Sequence, residues 1–122
     1  MAHIPYQKRG RKVDFTVSYQ WLPDVAQRPF QGMRCDWTYE DPPNIAEAWM
    51  IWPEFLNDAG APITGDSPIP FAGRAAMYVV ADQLRQEVHA ARIHVGTTGH
   101  FVVGSLAIAD AVVVSIEYLR DA

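Results

Sequence analysis

The chain has 122 residues, 49% hydrophobic and 20% charged, which suits one compact domain with its own core and excludes an intrinsically disordered polymer. Ten Lys and Arg against fourteen Asp and Glu leave a net charge of -4, unfavourable for a general phosphate-binding surface, so nucleic acid is not the default partner. The single cysteine, Cys35, excludes an intrachain disulfide and any cysteine-based metal cluster.

Residues 1–12 lack the apolar segment of a signal peptide and concentrate four cations, Lys8, Arg9, Arg11 and Lys12, in the run QKRGRK. They read as a basic arm ahead of a domain at 13–122, either a frayed and solvated terminus or a strip that touches RNA phosphates. No stretch is apolar for long enough to cross a bilayer, and with one cysteine the expectation is a soluble cytoplasmic protein with no membrane partner. Alternation then begins: Val13, Phe15, Val17, Tyr19 and Trp21 share one parity against Asp14, Thr16, Ser18 and Gln20, predicting a strand that ends at Pro23 and Asp24. A second strand is expected over 33–40, with Cys35, Trp37 and Tyr39 on one side; Trp21 and Trp37 should lie inward. DPPN at 41–44 breaks it, because two prolines remove two backbone donors.

Residues 46–55 read as an aromatic strand in which Trp49 and Trp52 fall on opposite faces, with Pro53 near an edge or bulge. Turn residues recur from 56 to 73. The stretch 75–91 permits a helix, through Met77, Val80, Leu84, Val88 and Ala91, or a strand over 75–81 followed by a loop and a second strand. RIHVGTTGHFVVGS at 92–105 predicts a hairpin turning at GTTG, with positive φ at Gly96 and Gly99 and with His94 and His100 outside the core. The β-branched run at 112–116 predicts a last strand.

RPFQGMRCDW at 28–37, where Gly32 and Arg34 match and Met33 and Cys35 depart, and the stretch 75–105 resemble the C-terminal β-barrel domain of elongation factor Tu and its relatives. The resemblance covers roughly residues 13–116. It implies an all-β fold, a single closed six-stranded antiparallel barrel, with strands at 75–81 and 92–95 and a core drawn from Phe15, Val17, Tyr19, Trp37, Met77, Val79, Ile93, Val95, Val103, Val112, Val114 and Ile116. That family's barrel is a docking surface for tRNA and protein partners. The phosphate loop GxxxxGK[ST] does not occur, so the chain alone is no translational GTPase.

The chemistry-bearing residues admit three functions. The first is a non-catalytic binding module acting through a protein partner, with Trp49, Trp52 and Phe55 as candidate contacts, because exposed aromatic rings anchor interfaces. The second is an RNA- or tRNA-contacting accessory protein using Lys8, Arg9, Arg11 and Lys12. The third is a small metal-dependent enzyme using His3, His89, His94 and His100, against which stands the absence of an HExxH spacing. Cys35 reads as a small core residue on the apolar parity, no GxSxG elbow is present, and Glu40, Asp41, Glu47, Glu54 and Asp58 read as a solvated acidic rim. No cofactor and no metal site are expected.

Overall fold

A computed structural model describes residues 5–40 and 47–120 of the chain. Six strands form one antiparallel sheet: β1 Phe15–Trp21, β2 Asp36–Tyr39, β3 Ile51–Leu56, β4 Ala72–Val79, β5 Thr98–Val103 and β6 Leu106–Ile116. Their spatial order is β2-β5-β6-β1-β4-β3. The sheet curls into a half-barrel, and its two edges touch where Trp37 and Trp49 exchange two backbone hydrogen bonds of 2.8 and 2.9 Å. One helix, α1 (82–92), follows β4; its middle, Arg85–His89, is π-helical. Short 3-10 turns lie at Tyr6–Arg9 and Tyr118–Arg120. Among the described residues, no helix is long and apolar enough to cross a membrane.

The alternation of β1 is borne out: Phe15, Val17, Tyr19 and Trp21 are all buried. A central strand with one face on the core needs this period, and β1 is flanked on both sides, by β4 and β6. Trp37 and Cys35 also lie inside. The ambiguous stretch divides between its alternatives. It starts as strand, to Val79, and becomes helix at Asp82.

Several expectations need correction. β2 is shorter than 33–40, and within 46–55 the strand proper starts only at Ile51. No strand occupies 92–95: Arg92 ends α1, Ile93 is buried beyond it, and Val95 is 67% exposed. GTTG is not the hairpin turn. The chain enters β5 at Thr98 and reverses at Gly104, whose φ is +63°. Gly96 has the expected positive φ, but Gly99 does not. Gly99 is required for another reason: a Cβ there would overlap the Trp37 indole and approach the Thr38 carbonyl to 2.7 Å.

The face of β6 is also opposite to that expected. Val112 and Val114 are exposed, as is Val103 on β5, and Ile116 is only half-buried, while Ala109, Ala111 and Val113 point inward. The cross-strand rows explain the choice. Ala109 lies between Trp21 and Phe101, and Ala111 lies between Tyr19 and Gly99. Large rings arriving from the neighbours leave space only for small side chains between them.

Candidate functional site

The basic N-terminal run is bolted to the sheet. Backbone N–H of Tyr6 donates to Glu54 Oε2 at 2.9 Å, the Tyr78 hydroxyl donates to Glu54 Oε1 at 3.2 Å, and the Tyr6 ring meets Tyr78 edge-on at 4.8 Å. Burial, then the Glu54 charge, raises the Tyr6 phenol above its ordinary range, while Arg34, Arg9 and Arg11 pull it down. Gly10 turns the chain with φ +82°, and Arg11 N–H then donates to Tyr6 O at 3.1 Å. Lys8, Arg9 and Lys12 are left exposed on this fixed segment, and Arg11 is half-buried with Nη2 donating to Val79 O at 2.9 Å.

Beneath this segment lies a buried ion pair that sequence reasoning missed. Asp14 accepts from Arg85 Nε at 2.6 Å, from Arg85 Nη2 at 3.2 Å and from Val79 N–H at 2.7 Å. Arg85 also donates to Asp82 Oδ1 at 2.8 Å and to Val79 O at 3.1 Å. Its hydrogen bond to Asp14 is the main reason its pKa rises, and the same guanidinium lowers that of Asp82. Asp14 sits on the outward parity beside the first strand, a charge that alternation alone assigns to solvent. No sequence signal links it to a residue 71 positions later.

Two hollows open around the run. One, about 400 Å³, is lined by Arg11, Lys12, Arg85 and Gln86 over Tyr118, with Asp82 at the rim. The other, about 830 Å³, lies between Gln7, Val13, Ile116 and Glu117 and shares Arg11, Lys12 and Tyr118 with the first. The Lys12 ammonium stands 4.9 Å and the Arg85 guanidinium 5.4 Å from the centre of the Tyr118 ring. Cations gather there around one phenol.

The other candidates are dispersed. Phe55 is fully buried in the core and offers no surface contact. Trp49 is half-buried, edge-on to His89 at 5.0 Å; Trp52 is half-buried under the Arg34 guanidinium, 4.7 Å from its ring centre. His89 is buried with Nδ1 2.6 Å from the Tyr39 hydroxyl, and burial, followed by Arg92 and Arg85, lowers its pKa to about 4. His94 Nδ1 faces the Arg120 guanidinium at 2.9 Å; guanidinium only donates, so Nδ1 accepts and Nε2 carries the proton toward Ala91 O. His100 Nδ1 lies 2.9 Å from Asp110 Oδ1. The two histidines thus have separate partners, and among the described residues no three His, Cys, Asp or Glu side chains are grouped to hold a metal.

His3 and Asp41 lie outside the described residues. Cys35 is buried and its thiol is pushed up to about 12 by burial, which disfavours the nucleophilic thiolate. The acidic group is not a common rim: Glu54 is buried, Glu47 pairs with Arg92 at 3.0 Å, and Glu40 and Asp58 are exposed. The chain matches no family model, no curated protein and no solved structure.

Proposed function

We propose that the chain is a binding module whose preassembled basic face engages RNA. The observation that carries this reading is the anchoring of Tyr6 on Glu54, which holds the run from Lys8 to Lys12 against the sheet. Exposed Arg34, whose charge reaches Tyr6, joins the run, so five of the ten Lys and Arg residues lie on or beside this segment and an acidic chain presents a local positive face. Phosphate contact needs cations and no apolar centre, whereas a stable protein interface is built around one. Among the described residues, none of the exposed large hydrophobic side chains lines the two hollows, which favours RNA over an acidic protein.

The curl of the sheet and the Trp37–Trp49 bridge support a closed six-stranded barrel as the finer architecture, and Gly32 and Arg34 support kinship with the elongation factor Tu C-terminal domain. A protein-docking reading retains one favourable observation: Met50, 52% exposed, sits between Trp49 and Trp52.

Binding of a labelled single-stranded RNA across a salt series tests the proposal. Affinity should fall with salt, and changing Lys8, Arg9, Arg11 and Lys12 together to Gln should lower the slope of log affinity against log salt by roughly 1 for each phosphate contact removed. No RNA binding at low salt, together with a partner retained through nuclease and high salt but lost in Met50→Glu, overturns RNA in favour of protein docking.

A further inference from the structure

The geometry points to a phosphate subsite in the smaller hollow between the N-terminal segment and α1, with Arg11 and Lys12 as its ligands. The space, about 400 Å³, is of the order that holds a nucleotide-sized group. Arg85 does not supply its net charge, since that guanidinium is committed to Asp14, Asp82 and Val79 O. Among the described residues, Arg11 donates from Nη2 to Val79 O and acts on Asp82 through its charge, and Lys12 makes a contact with the Tyr118 ring but no ion pair. Their charges converge on one concavity in which Asp82 is the acidic lining residue. An anion between them takes charge-assisted hydrogen bonds from both.

The site is also preset. Tyr6 on Glu54, the Gly10 turn and the Arg11 N–H bond to Tyr6 O hold the two cationic residues in place before any ligand arrives, so little ordering entropy opposes binding. The inference rests on the RNA reading for the source of the phosphate, but the chemistry is common to a strand phosphate and to a free diphosphate.

Titration of the full chain with inorganic pyrophosphate, followed by amide NMR, measures the subsite directly, and a single-stranded RNA oligonucleotide forms the second arm. Saturable shifts are expected at Arg11, Lys12 and Gln86. Lys12→Gln should weaken pyrophosphate about tenfold, the loss of one charge-assisted contact. Lys12 is exposed and makes no hydrogen bond to a described residue, so this variant tests anion binding without disturbing the fold. Asp82→Asn should tighten binding about fivefold by removing the opposing charge, and Lys8→Gln and Arg9→Gln should leave it unchanged.

Shifts that never saturate, equal affinity in Lys12→Gln, or weaker binding in Asp82→Asn overturn the subsite. RNA binding that survives Arg11→Gln and Lys12→Gln but is lost on changing Lys8 and Arg9 overturns the subsite and leaves the RNA reading standing. Saturable pyrophosphate binding by a protein that binds no RNA supports the subsite and overturns the RNA reading.

Discussion

The two junctions that tie distant segments together, the Asp14–Arg85 contact and the seam between β2 and β3, use opposite chemistry. At the first, a buried carboxylate collects three donors and holds α1 to the start of β1. At the second, backbone bonding between the strands is reduced to the Trp37–Trp49 bridge, and the two indole nitrogens have no hydrogen-bond partner among the described residues. Rings fill the seam instead: Trp37 meets Phe15 and Tyr39 edge-on, and Tyr39 lies against His89. The free edge of β3 is covered by the Gln31 side chain together with the following loop, whose Ile63 N–H donates to Phe55 O at 3.0 Å. Gln31 accepts from Phe55 N–H at 2.8 Å and donates to Phe55 O at 2.8 Å and to Ile63 O at 3.0 Å, and Pro53 has no donor to satisfy. The charged junction therefore depends on complete pairing, while the seam depends on shape.

If pairing is what holds the first junction, removing half of it has the largest effect. Arg85→Leu leaves Asp14 buried with Val79 N–H as its remaining donor and should cost about 3–5 kcal/mol in urea unfolding. Replacing Asp14 as well should recover part of that loss; a double variant no more stable than the single one would show that the carboxylate was never a burden. If shape holds the seam, Gly99→Val should cost about 3 kcal/mol or more, because its side chain enters the volume of the Trp37 indole. An unchanged melting temperature would mean that the indole moves aside freely.

The seam also carries a titrating group. His89 is buried against Tyr39, Trp49 and the charges of Arg92 and Arg85, and its pKa is about 4 folded against an ordinary value of 6.5. Between these values the unfolded chain binds the additional proton. Stability from neutral His89 is therefore complete above about pH 6.5 and is lost as pH falls through about 4, by about 3 kcal/mol in total. Denaturation midpoints measured from pH 7 to 4 should show this fall and should flatten over that range in His89→Phe; an identical slope in the variant would assign the loss to other groups. The smallest expected effect is at Gln31 on the edge of β3. Gln31→Leu strips the side-chain acceptor from Phe55 N–H and should cost about 1–3 kcal/mol, while the same substitution at exposed Gln20 should cost nearly nothing.

The basic run and the first strand were legible because both are local. Four cations in six residues, and five apolar residues at period 2, need no partner to be recognised. The hollow was only partly legible, since Arg85 and Tyr118 reach Lys12 from segments 73 and 106 residues along the chain. The aromatic candidates divided for a similar reason: alternation separated Trp49 from Trp52 correctly, but which ring stays accessible depends on Arg34 and His89 arriving from elsewhere.

By itself, the order of residues determined that β1 is a strand facing a core, that Cys35, Trp21 and Trp37 lie inside, and that a concentrated basic segment precedes the sheet. Only the tertiary structure decided which face of β6 turns inward, where the final hairpin reverses, and that Gly99 serves an indole instead of a turn. Alternation fixes that neighbours along a strand oppose one another, but the choice between the two faces belongs to the space left by strands alongside. Beside the rings of Tyr19, Trp21 and Phe101, that space admits alanine and turns valine out to solvent.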